Sequence, residues 1–158
     1  MNVQRKHWIA VTVVAGLAVV LLGPQGPLGG FWSAEGDDPT GAALAALFIY
    51  AVAEAAVFGF GVAFALFGRP LLKRLEAGER LTRLTFVAII WALLSWWPHG
   101  SFHQAIEDDN FGALAAIEWG FHATMLVAGL VIATFFWQVL GRSAEGPTEA
   151  SRGATMTA

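Results

Sequence analysis

The sequence predicts an all-α integral membrane protein, a four-helix bundle whose helices all cross the bilayer. The chain is 56% hydrophobic and only 13% charged over 158 residues, which leaves too little polar surface for a soluble domain of this size. Its apolar residues fall into four runs, at about 8–23, 41–67, 84–97 and 113–140, and runs of this kind cross membranes as helices. Since the connections are short, we expect a single four-span domain over residues 1–142.

The positions of the basic residues predict the orientation of the four spans. All nine Lys and Arg precede the first run, separate the second from the third, or follow the fourth: Arg5, Lys6, Arg69, Lys73, Arg74, Arg80, Arg83, Arg142 and Arg152. The other two connections carry only acids: Glu35, Asp37, Asp38, Glu107, Asp108 and Asp109. Because cytoplasmic loops retain Lys and Arg, both termini should be cytoplasmic. The expected location is the inner (cytoplasmic) membrane of the cell.

The first apolar run follows a short basic segment and therefore resembles a signal peptide. No small-x-small cleavage pattern follows it, so we interpret it as an uncleaved first span. The segment 24–40 is rich in glycine and proline, which predicts an irregular outer loop. Phe31 and Trp32 in this loop are expected at the level of the lipid headgroups.

The second run should end at Gly68-Arg69-Pro70, because proline disfavours a helical conformation at the residue before it. In the segment that follows, residues 71–83, leucines are interspersed with charged residues. This pattern is compatible with a short helix lying on the inner leaflet and equally with a solvated turn.

The third run should be stopped by Pro98, and its outer end carries an aromatic cluster typical of the membrane interface, Trp91, Trp96 and Trp97. At 1.5 Å per residue, the fourth run is longer than a hydrocarbon core of ~30 Å, so it should tilt or protrude at its outer end. The tail over 143–158 is small and polar and is predicted to be disordered.

Composition excludes several classes of function. The net charge is −3, and the basic residues are scattered, which argues against nucleic-acid binding. The chain has no cysteine, which excludes disulfides, thiolate ligands, iron–sulfur clusters and covalently attached c-type haem. The expected partners are the lipid bilayer and either further copies of the chain or a larger membrane complex.

Ionisable residues inside a membrane are costly and therefore indicate function. Glu54, Glu118 and His122 fall inside the predicted spans, and His99 and His103 lie immediately outside the third. Counting about 20 residues back from the inner ends of the spans places all five groups in the outer third of the bundle. They are the candidate metal ligands.

Spacing supports this interpretation. Glu118 and His122 are four residues apart and share one helix face, so they could ligate one ion, or the carboxylate could orient the imidazole. Tyr50 and Glu54 repeat the spacing, and Tyr50 would hydrogen-bond to Glu54 behind the site. If a helical turn continues after Pro98, His103 lies one turn from His99.

Imidazole and carboxylate without thiolate suit copper, iron or zinc. The hypothesis we favour is a metal site in the outer leaflet, used for redox chemistry or metal handling. The alternatives are a b-type haem or quinone protein with axial imidazoles such as His99 and His122, and a proton- or ion-coupled transporter subunit using Glu54 and His122. A non-catalytic accessory subunit of a membrane complex is a fourth alternative. Haem is less favoured because only His122 lies within a span.

Overall fold

The structure is a computed structural model that describes residues 3–28, 40–105 and 110–145. Over these residues the fold is all-helical, without a strand. The six helices, in chain order, are α1 (Val3–Leu22), α2 (Gly41–Phe67), α3 (Arg69–Lys73), α4 (Glu79–Leu94), α5 (Trp96–Ala105) and α6 (Phe111–Glu145).

Three helical stretches are long and apolar enough to cross a membrane: α2, the stretch Glu79–Gly100 over α4 and the start of α5, and Phe111–Arg142 within α6. The apolar part of α1, Trp8–Leu22, is shorter. Large apolar side chains of the long helices face outward, as at Leu130 and Trp137, which are 69% and 81% exposed. Such a surface fits lipid rather than water, so the prediction of a multi-pass membrane protein is confirmed, while the fourth span stays a prediction.

The long helices pack as an open row. Helix α1 packs on α2, α2 on α4, and α4 on α6, while the short α5 contacts both α2 and α6. Among the described residues, α1 and α6 make at most marginal contact with each other. The closed four-helix bundle that the sequence predicts is therefore not confirmed.

Glycines bring two pairs of helices close together. A Cβ at Gly59 would lie 2.7 Å from the Cα of Ala15 and 2.7 Å from the Cβ of Ala18, so α2 approaches the backbone of α1. A Cβ at Gly61 would lie 2.6 Å from Leu94 on α4. Small residues allow such close packing in membranes, where little hydrophobic force acts between helices.

The basic residues lie at one end of the row. Glu79 at the start of α4 pairs with Arg83 at 2.8 Å and with Arg69 at 3.5 Å. The Arg142 guanidinium near the end of α6 donates to the backbone carbonyl of Glu76. The turn before α4 and the end of α6 therefore meet at this end of the molecule.

Pro98 does not end the third span, so that prediction is wrong. Helix α4 ends at Leu94, and α5 runs from Trp96 through Pro98 to Ala105. As the third residue of α5, Pro98 sits in the first turn, where a backbone N–H has no partner within the helix. Because Pro98 cannot donate to the carbonyl of Leu94, the interruption falls three residues earlier, at Ser95.

Two other boundaries differ from the prediction. The charged segment begins with a helix of only five residues, α3, in which Pro70 occupies the first turn. Helix α6 continues through Glu145, so the first residues of the predicted disordered tail are helical. The rest of that tail, Phe31 and Trp32, and the acids at 107–109 lie outside the described residues.

Candidate metal centre

The outer half of α4 faces α6 in an antiparallel register. The indole Nε1 of Trp91 donates to the Thr124 hydroxyl at 3.1 Å, and the Ser95 hydroxyl lies 3.6 Å from the sulfur of Met125. Ser95 also donates to the carbonyl of Trp91 at 2.6 Å, which ties the junction with α5 to the end of α4. The two helices therefore stay aligned up to the point where α5 begins.

Helix α5 extends this contact to His99. The His99 ring stacks on Phe121 of α6, with ring centroids 3.8 Å apart and planes within 10°. Trp96 packs edge-on against the same phenyl ring at 5.1 Å. Because Phe121 is only 7% exposed, the stack fixes the His99 imidazole against α6.

His99, Glu118 and His122 form one cluster of potential metal ligands. Each offers a nitrogen or carboxylate oxygen, and these three atoms all lie within 4.8 Å of one another. His99 comes from α5 and the other two come from α6, so two helices contribute to the cluster. The cluster could hold a metal ion.

The i, i+4 pair on α6 is hydrogen-bonded. Nδ1 of His122 lies 2.8 Å from Oε2 of Glu118 and 2.9 Å from the backbone carbonyl of the same residue. Both neighbours are acceptors, so the tautomer that fits them has its proton on Nδ1, and Nε2 is then the nitrogen that can bind a metal. A metal-ligating histidine commonly has this arrangement, in which a carboxylate holds the nitrogen that does not bind the metal.

The cluster opens at the end of the row opposite the basic residues. His122 is 20 residues before Arg142 on one helix, which is about 30 Å at 1.5 Å per residue and equals the thickness of a hydrocarbon core. The side chains of His122 and Glu118 are 61% and 42% exposed. An ion would therefore reach the cluster from the membrane boundary.

Glu54 lies against a different face of α5, outside the three-residue cluster. Its carboxylate hydrogen-bonds to Tyr50, as the spacing predicts, and faces Gly100, where a Cβ would lie 2.8 Å from Oε1. That oxygen is buried and has no hydrogen-bond partner among the described residues. Since Gly100 follows His99, Glu54 lies beside the cluster without being part of it.

For the fifth predicted ligand, His103, the structure describes the backbone and not the side chain. Its position within α5 puts residue 103 one helical turn beyond residue 99, so the continued turn that the sequence prediction required is present. Its role as a ligand stays a prediction.

Sequence analysis missed the aromatic support of His99. Trp91, Ser95 and His99 are spaced by four residues and share one face of the α4–α5 stretch, which is the signal that could have found it. Their partners on α6 include Phe121 and Thr124, which are three residues apart and so also share one helix face. Trp91, Ser95 and His99 were not recognised as one face because the sequence prediction ended the helix at Pro98.

Two imidazoles and one carboxylate form a donor set with open coordination positions. The same set is found in catalytic zinc sites and in non-haem iron(II) sites. A haem held by both imidazoles fits less well. Phe121 is nearer to His99 and His122, at 3.8 and 5.2 Å, than these two rings are to each other, at 5.7 Å. The phenyl ring thus fills space that a porphyrin between them would need.

Comparison of the chain with protein-family models, with curated proteins and with solved structures found no match.

Proposed function

We propose that this chain is a membrane protein that binds one transition-metal ion at its outward-opening end, for redox chemistry or metal handling. His99 and His122 bind the ion, which is copper, iron or zinc, and Glu118 either completes the donor set or orients His122. The observation that carries the proposal is the convergence of three donor groups from two helices within 4.8 Å. The positive-inside rule places the basic end in the cytoplasm and the site at the outer face of the inner membrane.

The aromatic contacts support a preorganised site. The stack on the buried ring of Phe121 limits the rotation of His99, and the two hydrogen bonds at Nδ1 hold His122. Side chains that are already ordered lose little conformational entropy when an ion binds. Unsupported surface histidines would lose more.

Glu54 places a buried carboxyl group beside the proposed site. A buried carboxyl oxygen without a hydrogen-bond partner is costly in a membrane. It therefore marks this side of α5 as part of the same polar region as the cluster. Tyr50 holds Glu54 in place through their hydrogen bond.

A second candidate function is that of an accessory subunit in a larger membrane complex. The observation in its favour is the open row, since α1 and α6 each pack on one side only among the described helices. Native mass spectrometry in detergent would show the number of chains and any bound protein. A monomer without partners would remove this candidate.

The metal content of the purified protein tests the main proposal. The protein is purified in detergent without added metal, and its metals are quantified by plasma mass spectrometry alongside a visible spectrum. We expect about one ion per chain in the wild type and a loss of most of it in His99→Ala and in His122→Ala. His7→Ala, a histidine at the start of α1, is the matched control and should keep the ion.

Two results would overturn the proposal. One is a wild-type protein that neither retains an ion nor binds added cobalt(II), whose visible bands report imidazole and carboxylate ligation. The other is equal metal content in His122→Ala and His7→Ala. An intense Soret band in the wild type would assign the imidazoles to haem instead.

A further inference from the structure

The segment between α2 and α4 concentrates positive charge at one end of the molecule. Residues 69–83 contain five Lys or Arg and two Glu, a net charge of +3 in a chain whose net charge is −3. The segment lies at a membrane boundary, since α2 ends at Phe67 and the next stretch long enough to cross a membrane begins at Glu79. The positive charge therefore lies at the level of the lipid headgroups.

Three of these cations, Arg69, Lys73 and Arg83, converge on one carboxylate and form a basic cluster. Glu79 pairs with Arg83 at 2.8 Å. Arg69 and Lys73 of α3 lie 3.5 and 4.0 Å from the same carboxylate. One negative charge does not balance three positive ones, so the basic cluster keeps an excess of two positive charges. The positive-inside rule explains why Lys and Arg occur in this segment, but it does not require that α3 and α4 bring three of them together.

The basic cluster keeps hydrogen-bond donors for a second anion. A guanidinium has five N–H donors and an ammonium has three, whereas the Glu79 carboxylate has only two oxygens to accept them. The side chains of the three cations are between 49% and 66% exposed, so the remaining donors are accessible. Arg and Lys are the usual partners of phosphate oxygens. A phosphate group would therefore bind on the exposed side of the basic cluster, where Glu79 already orders the cations.

Apolar side chains beside the basic cluster favour a lipid as the source of the phosphate. Leu71 and Leu75 belong to the same segment, Leu84 follows Arg83, and all three leucines are exposed. Leucines next to cations at a membrane boundary are typical of surfaces that contact acyl chains as well as headgroups. The ammonium group of a zwitterionic phospholipid cancels the charge of its own phosphate, so an anionic phospholipid balances the excess positive charge better.

We propose that the basic cluster binds the phosphate of one anionic phospholipid, whose acyl chains lie along the exposed leucines. The positive-inside rule assigns this lipid to the cytoplasmic leaflet. The inference is independent of the proposed metal site, which lies at the opposite end of the row.

Matched arginine variants test the inference. Arg83→Gln removes one cation of the basic cluster, and Arg74→Gln makes the same change in the same segment at a residue that is not one of the three cations around Glu79. The purified, delipidated protein is titrated in detergent with dioleoylphosphatidylglycerol, with dioleoylphosphatidylcholine or with glycerol phosphate, and bound molecules are counted by native mass spectrometry. The solution contains about 0.15 M ammonium acetate, in which the screening length is about 8 Å, so that charges outside direct contact contribute little.

We expect the wild type to bind one phosphatidylglycerol about tenfold or more tightly than phosphatidylcholine or glycerol phosphate, because two unbalanced cations each contribute about fivefold near a lipid surface. Arg83→Gln should weaken the binding of phosphatidylglycerol about fivefold, and Lys73→Gln should have a similar effect. Arg74→Gln should change it by less than about twofold, since this residue lies outside the basic cluster.

Equal affinity of the wild type for the two phospholipids would overturn the inference. Equal weakening in Arg83→Gln and Arg74→Gln would also overturn it, because it would show attraction by net charge without a defined site. If glycerol phosphate binds as tightly as phosphatidylglycerol, the ligand is a soluble phosphate and not a lipid. If an acidic protein stays with the wild type and is lost from Arg83→Gln, the basic cluster binds that protein instead.

Discussion

Replacing Glu118 by glutamine separates two roles for this carboxylate, as orienting partner of His122 or as direct ligand. Nδ1 of His122 has two acceptors, the backbone carbonyl at 2.9 Å and the carboxylate at 2.8 Å. The variant keeps the first and replaces the second by a neutral amide. Hydrogen bonds to charged groups contribute about 1.5–3 kcal/mol and neutral ones about 0.5–1.5.

The expected loss follows from this difference and from exposure. Because the two side chains are 61% and 42% exposed, solvent screens the charge and the lower part of the range applies. The lower ends of the two ranges differ by ~1 kcal/mol, which corresponds to about fivefold weaker metal binding. This is slightly less than the ~10–100-fold effects of removing carboxylates that orient metal-binding histidines.

Competition with a chromophoric zinc chelator measures the affinity of the wild type, Glu118→Gln and His122→Ala. Glu79→Gln serves as the control because this carboxylate lies at the opposite, basic end. We expect about fivefold weakening in Glu118→Gln, a larger loss in His122→Ala and no change in the control. Unchanged affinity in Glu118→Gln would refute the orienting role, and a loss well beyond ~100-fold would show direct ligation instead.

Two further predictions concern the fold. Gly59→Ala should destabilise the protein by about 1–3 kcal/mol, because its methyl group meets the α1 backbone. Gly16→Ala, whose methyl group would enter open space, should be neutral or slightly stabilising. Equal thermal unfolding temperatures of the two variants in detergent would contradict the close packing. The chain lacks cysteine, so single cysteines can report the orientation. A membrane-impermeant maleimide should label Asn110→Cys in cells whose outer membrane face is exposed, and Leu75→Cys only after the membrane is permeabilised. The opposite labelling pattern would show the reverse orientation.

Hydropathy sufficed to predict the long helices. The predicted second span, 41–67, coincides with α2, because a continuous apolar run bounded by a Gly-Arg-Pro sequence leaves little choice of helix ends. The break at Ser95 was missed because the effect of Pro98 falls on the carbonyl four residues before it. The sequence did not predict which helix packs on which. Membrane helices associate through contacts between small residues, and hydropathy does not identify these contacts.

The candidate site was predicted as far as a single helix allows. Glu118 and His122 lie together because their spacing fixes one shared face. The position of Glu54 relative to this pair depends on how α2 is rotated about its own axis and on how far α2 lies from α6. The spacing between Tyr50 and Glu54 determines neither quantity. The structure shows that α5 contacts both α2 and α6.

Two consecutive residues of α5 account for the arrangement of side chains around the proposed ion. Adjacent residues on a helix point about 100° apart, so His99 can contact α6 while Gly100 contacts α2. The imidazole accordingly stacks on Phe121, and the missing side chain of Gly100 leaves room for the Glu54 carboxylate. Since a helix with its side chains is only about 10 Å across, Glu54 lies close to the proposed ion without binding it. A side chain at position 100 would displace Glu54, which is why glycine follows the histidine.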